Sequence, residues 1–206
     1  MILAAGLTPA WQQVLVFDSL TLGEVNRAAE THWFASGKVI NTARALWNLG
    51  AESKALSFVG GMSGEHIAAE FASDGIPAHW VPTSTATRVC TTILQRDGAP
   101  TTELVENAAP VTKEEVERYR SAYLEEVPAA KTVVLTGSLP QGVSQEFYAE
   151  LLRETTAPAI LDIRGMELLA ALSRKPLCVK PNRHELELTV GHECSQERTL
   201  IEAARQ

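Results

Sequence analysis

Three short stretches combine residue types that can do chemistry. Val133-Val134-Leu135-Thr136-Gly137-Ser138-Leu139-Pro140-Gln141-Gly142 is a continuous apolar run cut off by a Gly-Ser turn and a Leu-Pro-x-Gly exit. The run reads as a buried parallel strand, and ligands of open α/β sheets gather outside the carboxyl ends of such strands. There Gly137 permits close backbone approach and Ser138 offers a hydroxyl. Ser36-Gly37-Lys38 stands just before a helical segment, so the Lys38 ammonium and nearby amides could meet an anion together. Asn182 and Glu185 lie one helical turn apart, so both can project from one face. An amide and a carboxylate so placed suit the water shell of Mg2+. They equally suit a capping box, with Asn182 as N-cap and Glu185 closing back on it. Lys180, just upstream, could reach a phosphate.

Other patterns lack the spacing their chemistry requires. Gly37-Lys38-Val39 is no P-loop, which needs Gly-Lys-Ser/Thr with a glycine further upstream. His192-x-Cys194 has no partner ligands at zinc spacing. Asp162, at a strand end, has the type and place of a general base when taken alone. Trp11, Trp33, Trp47 and Trp80 read as packing residues rather than stacking platforms.

The elements that must position these residues follow from the hydrophobic pattern. A first strand spans Met1 to Leu7, and others cover Ala55 to Val59, Ala159 to Leu161 and Leu177 to Val179. Between them lie predicted helices from Val39 to Leu49, stopped by Gly50, and from Gly64 to Ser73. Thr112 and Glu115 predict a capping box for a helix over Lys113–Glu126, with Val116, Tyr119 and Tyr123 on its buried face and a Glu114–Arg118 pair on the solvated one. Ser144 is expected to cap the next helix. Alternating strands and helices imply a doubly wound, mostly parallel sheet with helices on both faces. Val14–Phe17, Thr31–Ala35, Val89–Leu94 and Thr102–Glu106 are short, β-prone and scattered among long non-strand segments.

The chain has 206 residues, enough for one sizeable α/β core. Its formal charge of −7 argues against a general nucleic-acid or membrane-surface binder, yet two or three local cations suffice for one phosphate. No apolar run approaches the roughly 18 residues of a membrane helix, and the start lacks the basic region of a secretory signal. Three widely spaced cysteines, Cys90, Cys178 and Cys194, fit reduced thiols in a cytoplasmic protein.

Thr136-Gly137-Ser138-Leu139-Pro140-x-Gly142 after an apolar strand resembles the ribokinase-like (PfkB) carbohydrate kinases. Four further segments fall in that family's order. They are Leu22-Gly23-Glu24-Val25-Asn26-Arg27, Ser36-Gly37-Lys38-Val39-Ile40-Asn41, Val59-Gly60-Gly61-x-x-Gly64 and Lys180-Pro181-Asn182-Arg183-His184-Glu185, which carries the Asn-x-x-Glu signature. The resemblance covers nearly the whole chain and points most closely to fructose-1-phosphate and tagatose-6-phosphate kinases. It implies one ribokinase-like domain over residues 1–206, with lid segments near 12–35 and 88–106 forming a small sheet over the site, and a homodimer through that lid. It implies sugar contacts from Gln12, Gly37, Asn41, Gly137 and Ser138, and contacts to the substrate's own phosphate from Arg27, Lys38 and Arg88. It also implies ATP with Mg2+, served by Lys180, Asn182 and Glu185, and a merely supporting part for Asp162. The family's general base is an Asp in a Gly-Ala-Gly-Asp turn, which is expected beyond Gln206, so this stretch reads as an N-terminal portion.

Departures cluster around the sugar. The usual Gly-Gly-Lys-Gly is Ser36-Gly37-Lys38-Val39, the first-strand Asp is Gln12, and an Asn is replaced by Cys90. Two functions of different class therefore stand: an ATP-dependent sugar-phosphate kinase, and a non-catalytic module that binds a sugar phosphate.

Overall fold

Apolar strands without alternation need cover on both faces, and the computed structural model, which describes residues 1–204, supplies it. In chain order the elements are β1 (Ile2–Ala5), β2 (Ala10–Phe17), β3 (Glu30–Ser36), α1 (Lys38–Asn48), β4 (Ser53–Val59), α2 (Gly61–Ser73), β5 (Ala78–Pro82), β6 (Val89–Gln95), β7 (Thr102–Val105), α3 (Lys113–Glu126), β8 (Thr132–Thr136), α4 (Phe147–Arg153), β9 (Ala159–Asp162), α5 (Gly165–Leu172), β10 (Cys178–Val179), α6 (Arg183–Val190) and α7 (Glu197–Ala204). Six strands form one parallel sheet in the order β10-β9-β8-β1-β4-β5.

Successive strand residues point to opposite faces, and here both directions meet helices. Leu3, Leu56, Phe58, Val133 and Leu135 share one core with Tyr119 and Tyr123 of α3, Phe147 and Tyr148 of α4, and Leu168 of α5. Ala4 and Ala55 face the other way, against Val39, Ile40 and Ala43 of α1 and Ile67 and Phe71 of α2. Small residues on that side let α1 come close. A Cβ at Gly6 would lie 2.3 Å from the Thr136 carbonyl oxygen and 3.0 Å from the Val39 Cβ. Val39 is itself a buried residue of α1.

Four strands stand apart in a second sheet, ordered β3-β2-β6-β7. Its outer pairs are antiparallel, while β2 and β6 run parallel from Trp11↔Val89 to Phe17↔Gln95. Thus neither Val14–Phe17 nor Val89–Leu94 joins the main sheet.

Local signals were followed closely where side chains bond to nearby backbone. Thr112 and Glu115 close the capping box of α3, and Gly50 takes φ +77 just after the α1 C-cap. Elsewhere the structure corrects the reading. Helix α2 starts at Gly61, three residues early, because the Gly60 carbonyl already accepts from the Gly64 amide. Ser144 does not cap α4; its Oγ accepts from the Glu146 amide in a turn that precedes the helix. Arg118 turns from Glu114 to Glu115 (3.9 Å) and the Pro82 carbonyl (3.1 Å). Strand β5 and helix α5 had no clear signal. β5 is short and ends in a proline tolerated only because it is an edge strand, and α5 has Arg164 where a polar cap would announce it.

Candidate active site

The carboxyl ends of β1, β8 and β9 meet the amino ends of α1 and α6. Gly37, the N-cap of α1, sits at φ +99, and a Cβ there would come within 3.0 Å of Pro9 Cα and 3.1 Å of the Thr8 carbonyl oxygen. Only glycine lets the start of α1 pass this close to the turn after β1. Thr8 is buried, donates to the Ser138 carbonyl (3.2 Å) and lies 3.3 Å from the Ser138 hydroxyl. Gly137, at φ +93, donates its amide to the Asp162 carbonyl (3.2 Å) and accepts at its own carbonyl from Tyr148 (3.0 Å). The Gly-Ser turn is thereby fixed from three elements.

Charge converges on the same spot. Lys38 Nζ lies 2.7 Å from Glu185 Oε1 and 3.2 Å from Asp162 Oδ1. Asp162 Oδ1 also meets Lys180 Nζ at 3.1 Å, and Oδ2 accepts from the Thr136 hydroxyl at 3.2 Å. Glu185 Oε2 accepts from the Asn182 amide while Asn182 Oδ1 accepts from the Glu185 amide, both at 2.9 Å, so the capping box read from sequence is closed. Burial works to raise the Glu185 pKa. The hydrogen bond from Lys38, the Asn182 amide and the Lys38 charge outweigh it and leave the group below its usual value. Arg88 bonds to backbone carbonyls through each of its three nitrogens: Nε to Pro9 (3.3 Å), Nη2 to Thr8 (3.2 Å) and Nη1 to Glu106 (3.2 Å). It ties the small sheet to the turn after β1.

Two cavities adjoin here and share Lys38 and Arg88. One, of about 250 Å3, lies between the small sheet and α1 and is lined by Gln12, Gly37, Asn41, Cys90 and Glu103 among others. The second, of about 190 Å3, is lined by Thr8, Gly137, Ser138, Asp162, Arg164 and Glu185. Larger hollows between β5 and α3 and beside Trp11 and Trp33 lack this convergence of charged groups on strand ends.

The structure thus brings together Gln12, Gly37, Lys38, Asn41, Arg88, Gly137, Ser138, Asn182 and Glu185, with Lys180 at the edge through Asp162. Arg27 is not brought in. It is exposed in the connection between β2 and β3 and lines neither cavity. Gln12 Nε2 is bonded to Thr92 Oγ1 at 2.9 Å. Sequence reasoning missed Thr8, Thr136 and Arg164, and undervalued Asp162, which links two lysines and a threonine. A signal for Asp162 was present in its position at the end of an apolar strand.

The profile of the pfkB family carbohydrate kinases matches residues 10–206. The chain belongs to that family. This pfkB kinase is 30% identical to a tagatose-6-phosphate kinase of Staphylococcus epidermidis over 209 residues, covering 99% of the chain and 67% of the relative. Among solved structures it is similar to the tetrameric inhibited form of phosphofructokinase-2 from Escherichia coli, with TM-score 0.89 and 27% identity over 99% of this chain and 68% of that one. It is likewise similar to the same Escherichia coli enzyme in complex with fructose-6-phosphate, with TM-score 0.88 and 27% identity over 100% and 69% of the two chains. The fold of this pfkB kinase is therefore that of a sugar kinase. No helix among its described residues is long and apolar enough to cross a membrane.

Proposed function

We propose that the protein phosphorylates a hydroxyl of a phosphorylated ketohexose, of the fructose-1-phosphate or tagatose-6-phosphate class, with ATP as donor. The observation that carries this is the pair of adjoining cavities with Lys38 and Arg88 at their junction. Phosphoryl transfer asks chiefly for positioning and neutralisation of charge between two anionic reactants, and that junction is where they would meet. Gln12, Gly37 and Asn41 hold the sugar beneath the small sheet, which acts as a lid, with Gly137 and Ser138 at its other side. Lys38 and Arg88 serve the substrate's phosphate, joined by Arg27 if the β2–β3 connection folds inward. Lys180, Asn182 and Glu185 stand on the nucleotide side.

The donor set there fits a hydrated Mg2+. Asp162 and Glu185 present carboxylate oxygens that each keep acceptor capacity beyond the bonds described, and a magnesium ion keeps several of its waters. When bound, the ion would screen the donor phosphates, and Asn182 and Glu185 would hold it through water.

The test is an assay of the full-length protein with MgATP and fructose-1-phosphate, fructose-6-phosphate or tagatose-6-phosphate. ADP release with one of them is expected, and none with any would favour the second reading, a non-catalytic sugar-phosphate binder. That reading draws on the pairing of both cavity carboxylates, Asp162 and Glu185, with lysines. Arg88→Ala is expected to weaken binding of the accepted sugar phosphate about tenfold or more, as a charge-assisted contact of roughly 1.5–3 kcal/mol is lost. Unchanged affinity in calorimetry would remove Arg88 from the site.

The lid also carries apolar surface that suits a second copy of the chain. Trp11 and Trp33 stack at 6.2 Å beside Met62 of α2, and Met62, with Leu22 and Val25 of the β2–β3 connection, is largely exposed. Sedimentation at micromolar concentration is expected to show a dimer that Trp33→Arg dissociates. A wild-type monomer would exclude assembly through this face.

A further inference from the structure

The cations around the 190 Å3 cavity differ in how far they are committed. Lys38 is held by two carboxylates and Arg88 by three backbone carbonyls. Arg164 lines the same cavity, is exposed at the N-cap of α5, and has no hydrogen-bond or ion-pair partner through its side chain among the described residues. It does not line the cavity beneath the lid.

We propose that Arg164 binds the terminal phosphates of the donor nucleotide, and this rests on the kinase reading above. A guanidinium presents a planar fork that matches two phosphate oxygens at once. Recruiting Lys38 requires breaking its pairs with Asp162 and Glu185, whereas Arg164 has no pair to break. The triphosphate therefore meets Arg164 first, and because Arg164 lines only the inner cavity it stands apart from the sugar. Arg164 is itself the N-cap of α5, where partial positive charge gathers. With Arg164 the cavity carries three cations against the two carboxylates Asp162 and Glu185, an excess that suits an anionic ligand.

The test compares wild type, Arg164→Ser and Arg164→Lys in the full-length protein. Calorimetry with inorganic tripolyphosphate reads the site directly, and steady-state kinetics read KM for MgATP and for the sugar phosphate separately. Arg164→Ser is expected to weaken tripolyphosphate about tenfold and raise KM for MgATP by a similar factor, with KM for the sugar phosphate unmoved. Arg164→Lys, which keeps charge without the fork, is expected to fall between. Thermal melts should be unchanged, since the side chain is exposed and unpartnered. Unaltered tripolyphosphate affinity in Arg164→Ser would overturn the assignment, as would a rise in KM confined to the sugar phosphate. If wild type phosphorylates no sugar phosphate, the kinase reading fails by itself, and the tripolyphosphate titration still decides the role of Arg164.

Discussion

A polypeptide of these 206 residues is expected to show no measurable transfer from ATP to any ketohexose phosphate. The acceptor hydroxyl must lose a proton as the phosphoryl group arrives, and the two carboxylates lining the inner cavity are already committed to ion pairs with lysines. Asp162 is held by Lys38, Lys180 and Thr136, and Glu185 by Lys38 and the Asn182 amide. General-base catalysis is worth about 10²–10⁴ in rate, and preorganised donors to the migrating group a further 10²–10³. The chain spans 67% of the Staphylococcus epidermidis relative. A sensitive ADP-release assay checks the expected absence of turnover. Robust turnover by the 206-residue polypeptide would make Asp162 the base, released from its lysines when substrates bind.

Lys38→Met is expected to damage both stability and activity. It removes the cation that Glu185 and Asp162 share and leaves the Glu185 carboxylate buried beside the Asn182 amide alone. Breaking a buried pair costs about 3–5 kcal/mol, but the Lys38 side chain is 39% exposed, so solvent reduces the loss to roughly 1–3 kcal/mol. The pH dependence has a definite sign. In the wild type the Glu185 pKa is lowered, so its contribution is present above the unfolded carboxylate value and disappears as pH falls through the folded one. In the variant, burial pushes the carboxyl upward with little to oppose it. The difference in denaturant stability should therefore be largest near neutral pH, begin to shrink as the pH falls through the variant's raised value, above the ordinary carboxylate value of about 4.3, and be small below the wild type's lowered one. In the full-length protein, kcat/KM should fall by about 10²–10³, the scale of a lost charge-stabilising contact. A wild-type–variant difference of the same size at pH 7 and pH 4 would refute the ion-pair account.

Legibility in the sequence tracked the range of the interactions. Both capping boxes close over three residues, so Thr112–Glu115 and Asn182–Glu185 could be read directly. The Val133 run could be placed in a sheet covered on both faces because its pattern alone demands that cover. The partners of Lys38 could not be read, since Asp162 and Glu185 lie 124 and 147 positions away and only the convergence of β9, α1 and α6 brings them near. Arg164 was invisible for a related reason. A lone arginine after a strand looks like any surface charge until the cavity beside it is seen.

The parallel pairing of β2 with β6 has a consequence for how this molecule is made and changed. The two strands at the centre of the small sheet belong to residues 10–17 and 89–95, and α1, β4, α2 and β5 lie between them in the chain. That sheet cannot close until much of the core has already been threaded and docked, so it should be among the last parts to assemble and the first to open. Nor can it be cut out and exchanged as a cassette, because each half enters and leaves through the core. Variation in what the protein accepts must then come by single replacements on a fixed frame, as at Gln12 and Cys90.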